Sequence, residues 1–155
     1  MIKLFTDGSA DPNPGPGGYA VVCNGEPVAL GREAASTNIR MEGFALIAAY
    51  RYISSQAAAS QSPVEAEIIT DSEFWVNVLT KWAPSWQRAG WRKKSGQIAN
   101  LELVKELYAL YCDAPNVKLS WTRAHVGTDG NELADSWANQ ARTGVTLETY
   151  RRQAL

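Results

Sequence analysis

The chain has one histidine, two cysteines and two methionines in 155 residues, and its acids outnumber its bases by a single charge. Each scarcity excludes something. Cys23 and Cys112 stand at no metal or redox spacing, which excludes a disulfide framework and a thiolate metal centre. In their apolar contexts they read as buried free thiols in a reducing compartment, so a cytoplasmic location is expected. A lone histidine, His125, excludes a site built from clustered imidazoles. No apolar run reaches the ~18–20 residues that cross a bilayer, and no membrane partner is expected. Met1–Phe5 reads directly as a strand, which leaves no signal peptide in view. There is no internal repeat and no low-complexity tract. The length suits a single domain with one core, and no feature asks for more than a monomer.

A net charge of −1 does not announce a nucleic-acid binder, but its distribution is uneven. From Lys81 to Lys94 there are five bases (Lys81, Arg88, Arg92, Lys93, Lys94) and no acid, and Trp82, Trp86 and Trp91 fall in the same stretch. Such a patch is a local footprint for phosphates on a near-neutral protein. The alternative is a solvated amphipathic segment whose tryptophans enter the core.

Periodicity and turn chemistry outline the elements. Met1–Ser9 reads as a strand and Asp11–Gly18 as a turn. Tyr19–Cys23 is a short strand, and Asn24-Gly25 is a hairpin signal leading to a third strand over Val28–Ser36. Asn38 to about Ser54 reads as a helix, with Met41, Ala45, Ala48 and Tyr52 on one stripe. Glu67–Thr70 is a strand, and Ser72–Leu79 a short helix. Ile98–Tyr111 is helical, with Leu101, Val104, Tyr108 and Tyr111 on its apolar face. Val117–Thr122 is a fifth strand. Thr128 to about Arg142 is a last helix, with Leu133, Trp137 and Ala141 on its stripe. Hairpins followed by alternating strands and helices predict an α/β mixed sheet, antiparallel at one side and parallel at the other, with helices on both faces.

Four carboxylates have suggestive positions. Asp7 ends the first strand and Asp71 the fourth, where ligands of open α/β sheets bind. In isolation an Asp-Gly pair is more often a turn, and Asp71 is more often an N-cap for the helix that follows. Glu42 aligns with Leu46, Ala49 and Ile53 on an inward-facing set, a costly place for a carboxylate unless a cation meets it. Asp135 borders the apolar stripe of the last helix. His125 sits in a loop with Gly127 and Gly130, just before that helix begins. Several carboxylates without a Cys/His cluster suggest a hard cation with oxygen ligands, Mg²⁺ or Mn²⁺. Carboxylates around two such ions suit in-line phosphoryl displacement.

Taken in order, Thr6-Asp7-Gly8-Ser9, the turn from Asn13 to Gly18, Thr37–Glu42, Thr70-Asp71-Ser72 and His125 with Asp135 ten residues later make the chain resemble ribonuclease H of type 1, over nearly its whole length. The resemblance implies a five-stranded mixed sheet whose first three strands are antiparallel, in one domain with a basic protrusion around 81–97. It implies an endonuclease that hydrolyses the RNA strand of RNA–DNA hybrids, leaving 5′-phosphate and 3′-hydroxyl ends. Asp7, Glu42, Asp71 and Asp135 would bind two Mg²⁺ ions (Mn²⁺ in their place), and His125 would assist proton transfer or product release. Phe74, Trp82 and Trp86 would form a channel for DNA sugars, while Thr37 and Asn100 would hold a DNA phosphate. Asn13 and Asn38 would read RNA 2′-hydroxyls. Arg88, Trp91, Arg92, Lys93 and Lys94 would complete the grip on the hybrid.

Some positions depart from that pattern. Ile39 replaces an amide beside Asn38, Glu73 follows Asp71-Ser72 where an amide is common, and Ala35 stands where some members carry an arginine. Thr128 and Asp129 replace other residues in the histidine loop. Each bears on substrate affinity more than on chemistry. Two further readings are another nuclease of the same superfold and a hybrid-binding module without catalysis. The second is disfavoured, because a pure binder gains nothing from clustered negative charge beside phosphates.

Overall fold

The computed structural model describes residues 1–124 and 129–154. Five strands form one sheet in the order β3-β2-β1-β4-β5. They are β1 (Ile2–Ala10), β2 (Gly15–Cys23), β3 (Glu26–Ser36), β4 (Ala66–Thr70) and β5 (Val117–Trp121). β1, β2 and β3 pair antiparallel, while β4 and β5 run parallel to β1, as the sequence predicts. Asn24 and Gly25, with φ of 52° and 77°, make the two-residue turn of the β2–β3 hairpin.

The helices are α1 (Asn38–Ser60), α2 (Glu73–Asn77), α3 (Ala83–Arg88), α4 (Leu101–Cys112), α5 (Asp129–Arg142) and α6 (Leu147–Gln153), with a π turn over Val78–Trp82 between α2 and α3. Among the described residues no helix is long and apolar enough to cross a membrane.

Adjacent glycines of β2 show that both faces of the sheet are covered. A Cβ on Gly17 would meet the Met41 side chain of α1, whereas one on Gly18 would meet the backbone of Ala138 and Arg142 in α5. Neighbouring strand residues point to opposite faces, so α1 and α5 lie on opposite sides. The main core fills the α1 side: Leu4, Val21 and Ile68 from the sheet meet Leu46, Ala49, Tyr50 and Ile53 of α1, then Leu103, Val104 and Leu107 of α4. The α5 side is thinner and uses small residues, with Ala134, Ala138 and Ala141 buried there.

Several sequence expectations are corrected. Gly15–Gly18 belong to β2 rather than to the turn, and the missing side chains of Gly17 and Gly18 admit helices on both faces. α1 runs six residues past the expected end through Gln56-Ala-Ala-Ala and stops at a left-handed Gln61. Its fully buried face includes Leu46, Ala49, Tyr50 and Ile53, while Ala48 and Tyr52 are only half-buried. On α5, Leu133 is exposed and Trp137 is covered by Tyr150 of α6, an element the sequence reading does not contain. The helix after β4 does not end at Leu79 but continues through the π turn to Arg88. Of the two free cysteines, Cys23 is half-buried and Cys112 is exposed.

One of the closest contacts between layers is at Gly8. A Cβ there would lie 2.3 Å from the Met41 carbonyl carbon and 2.5 Å from the Glu42 nitrogen, so the backbone of α1 rests on β1. Gly8→Ala forces helix and strand apart and is expected to cost about 2–4 kcal/mol in urea unfolding. A loss under ~1 kcal/mol would show that this contact carries no constraint.

Candidate active site

The contact at Gly8 places Glu42, in the first turns of α1, beside Asp7 of β1. The start of α1 is fixed in three ways. Thr37 is its N-cap, accepting a hydrogen bond from the Arg40 N–H. The Trp75 indole N–H donates to the Ile39 carbonyl at 2.7 Å. The Cβ-free Gly43 lets the ring of Trp75, itself fully buried, lie against the helix. Trp75 thereby braces the Glu42 side of the cleft against the segment carrying Asp71.

Asp71 follows β4, one residue from Thr70, which pairs with Thr6. The helix cap expected of Asp71 is supplied by Ser72, whose hydroxyl accepts from the Trp75 N–H at 3.2 Å. Ser72 also hydrogen-bonds Glu42. The Trp121 indole N–H donates to the Asp71 carbonyl at 3.2 Å, and the Thr122 N–H donates to the Thr70 carbonyl at 2.9 Å, so β5 pins this strand end.

Carboxylate oxygens of Asp7, Glu42 and Asp71 all lie within 4.8 Å of one another. The carboxyl of Asp135 on α5 approaches Asp7 from the other side. The four line one small open cleft with Gly8, Ser9, Asn38 and Ala124. Crowding and burial show in the acidities. Burial first, then the charge of Asp71, pushes Asp7 up to about 9, against the opposing hydrogen bond from the Gly8 N–H and with further upward pressure from Asp135. Glu42 rises to about 7, again by burial first; the Ser72 hydrogen bond opposes this and Asp71 adds to it. Clustered oxygen ligands that resist ionisation without a counter-charge fit a hard divalent cation well.

The remaining predicted residues fall into three places. Asn13 and Asn38 are tied together at the cleft edge: the Asn38 backbone N–H donates to Asn13 Oδ1 at 3.1 Å, and Asn38 Oδ1 accepts from the Ala10 N–H at 2.7 Å. With both carbonyl oxygens engaged, the two side-chain NH₂ groups are the donors left to present. Asn100 precedes α4 in a left-handed conformation and accepts from Arg40 Nη1 at 2.9 Å, and the same nitrogen meets Glu102 at 2.7 Å. Arg40, which the sequence reading did not single out, thus joins the capping turn of Thr37 to Asn100. Phe74, Trp82 and Trp86 form a wall with ring centroids 6.1 and 6.2 Å apart, and with Lys93, Ile98, Ala99 and Val104 they line an apolar groove. Arg88, Arg92 and Lys94 are exposed nearby. Trp91 lies elsewhere, packed edge-on against Tyr108 beneath the Lys105 ammonium. His125 and Thr128 lie outside the described residues.

This arrangement defines a class: an α/β protein with a mixed sheet that gathers carboxylates from strands and helices in one cleft able to hold a hard cation. Comparisons with known proteins narrow it. The RNase H family model matches residues 1–143. A ribonuclease H of Methylorubrum extorquens is 39% identical over 142 residues, 90% of this chain and 59% of that protein. A ribonuclease H of Pelobacter propionicus is 38% identical over 146 residues, 92% of this chain and 85% of the relative. The solved structure of LC9-RNase H1, a type 1 RNase H with the type 2 active-site motif, matches with a TM-score of 0.77 at 27% identity, over 99% of this chain and 81% of that one. The chain belongs to the ribonuclease H family.

The acidities have a stability consequence. A carboxyl whose folded pKa is raised stabilises the fold below its unfolded value and loses that contribution as pH rises towards the folded one. For Asp7 that window runs from 3.8 to about 9. Metal-free protein should therefore lose stability as pH rises across it. Asp7→Asn should flatten the loss and add on the order of 1–3 kcal/mol near neutral pH. Thermal melts in EDTA at several pH values measure this, and a variant no more stable than wild type at pH 8 would contradict the crowding described here.

Proposed function

We propose that this chain, in which the whole length forms one ribonuclease H domain with a basic protrusion around 81–97, cuts RNA–DNA hybrids internally on the RNA strand, as a monomer in the cytoplasm. The products carry 5′-phosphate and 3′-hydroxyl ends. The observation that carries this reading is the convergence of Asp7, Glu42, Asp71 and Asp135, from four separate elements, on one cleft. Two Mg²⁺ ions, or Mn²⁺ in their place, held by those four residues would supply an acidified water and positive charge for the leaving oxygen. Free cysteines support the cytoplasmic assignment.

The protein's own groups do the rest. Asp7 is the most buried of the carboxylates and contacts the others, so it anchors both halves of the cluster. Ser72 holds Glu42 in place. Asn13 and Asn38, locked to each other and to β1, present their amide donors to ribose 2′-hydroxyls of the cleaved strand. A DNA strand there leaves those donors unpaired, a loss that discriminates strongly. Phe74, Trp82 and Trp86 pack against deoxyribose of the opposite strand. Thr37, Asn100 and the bases Arg88, Arg92, Lys93 and Lys94 hold its phosphates, Thr37 and Asn100 linked through Arg40. Trp91, packed on Tyr108, supports the protrusion from below. His125 moves a proton or eases product release, and His125→Ala should slow turnover about 10²–10⁴-fold without abolishing it.

The decisive assay uses four duplexes of one sequence: the hybrid, the hybrid with strands exchanged, RNA–RNA and DNA–DNA. Only RNA strands paired with DNA should be cut, only with free divalent metal, and not by Asp7→Asn. Equal cutting of either homoduplex, or cutting that survives EDTA, would overturn the proposal. A shifted but uncut hybrid band with metal present would identify a binding module instead.

A further inference from the structure

The aromatic wall is built on an irregular helix. From Phe74 to Trp82 is eight residues. In a continuous α-helix, at ~100° per residue, that step overshoots two full turns by about 80° and puts the rings on different faces. Here the path crosses the π turn over Val78–Trp82, which absorbs an extra residue with little added rotation. The two side chains return to within about 20° of the same face. Trp82 leans back towards the N-terminus, as helical side chains do, and its ring meets Phe74 at 6.1 Å and 65°. Trp86, one ordinary turn on, continues the wall at 6.2 Å. The opposite face of the same helix stays in register with the core: Trp75, Val78, Leu79 and Ala83 are all fully buried.

We infer that the π turn is a register device for substrate binding: by absorbing one residue it keeps Phe74 aligned with Trp82 across an eight-residue step and so builds the wall of the groove, while the catalytic end of the helix is left untouched. This rests on the reading of these rings as the surface that meets the DNA strand. Asp71 and Ser72 precede the turn, so the device sets affinity for the hybrid rather than the rate of cutting. Thr80 is the residue whose removal tests it. It lies inside the turn, is exposed, and its only described bond is its own hydroxyl donating to the Val76 carbonyl at 2.7 Å.

The experiment measures kcat and KM on a hybrid for seven proteins: wild type, Trp82→Ala, Thr80→Ala, a deletion of Thr80, that deletion with Trp82→Ala, Lys81→Trp combined with Trp82→Ala, and Lys81→Ala. Thr80→Ala keeps the residue count and should match wild type. Trp82→Ala should raise KM about tenfold, the scale of one aromatic contact to nucleic acid. Deleting Thr80 leaves a seven-residue step, which an unbroken α-helix also brings to within about 20° of one face, so KM and kcat should stay near wild type, and adding Trp82→Ala to the deletion should raise KM about tenfold. The Lys81→Trp, Trp82→Ala protein keeps every backbone residue and moves the ring by about one helical step. It should behave like Trp82→Ala, with Lys81→Ala as its control, and it decides the matter if the deletion does not fold. A KM in the folded deletion raised as far as in Trp82→Ala, or a wild-type KM in the relocated-ring protein, overturns the register role while leaving the wall intact. Wild-type KM in Trp82→Ala overturns the reading of the wall itself, and the inference with it.

Discussion

At Gly8 the backbone of α1 rests directly on β1, and the geometry of the cleft follows from that contact. It brings Glu42 next to Asp7 although both are carboxyls and neither is well solvated. Like charges this close repel, and the repulsion is borne by the core behind them. Leu4, Leu46, Ile68 and Trp75 are each fully buried and hold sheet, helix and strand end in one arrangement. The carboxylates do not assemble themselves; the apolar layer assembles them, at an electrostatic cost that a bound cation offsets.

Chemistry and grip are divided along one helical path. Its first residues carry the cap and brace that orient Asp71 and Glu42, and its later ones carry the tryptophan wall. Trp75 belongs to both regions, being a core residue whose indole N–H is spent on the first turn of α1. Basic residues are confined to the far end, which keeps cations away from the acidic cleft and leaves that cleft attractive to metal. A near-neutral protein can in this way have a strongly acidic centre and a basic grip a short distance apart.

Much of this was legible in the sequence, for physical reasons that differ by position. Asp71 could be placed because a strand ends where its apolar run stops, and Glu42 because an acid on an inward-facing helical set is anomalous; Asp7, expected to end its strand, lies inside β1, which runs on to Ala10. The Asn24-Gly25 hairpin could be read because few residue pairs accept two positive φ values. Gly17 and Gly18 could not. Their local chemistry is that of a turn, and only the helices on either face explain why a strand needs them. The α5 face misled for a related reason: close packing on β2 selects alanines, so the large Leu133 and Trp137 lie off the contact. The π turn leaves no local signal at all, since its extra residue is defined by rings and core positions on both sides of it. Arg40 escaped notice because its partner Asn100 is sixty residues away in the chain.

The central claim is that the carboxylates are crowded and that Asp7 stays protonated until a divalent cation relieves it. Calorimetric titration of Mg²⁺ into the metal-free protein near pH 7.5, in buffers of different ionisation enthalpy, tests it directly. With Asp7 at about 9 and Glu42 at about 7, binding should release protons to the buffer, so the observed heat should depend on which buffer is used. Binding with no proton release, or no binding at millimolar Mg²⁺, would contradict it.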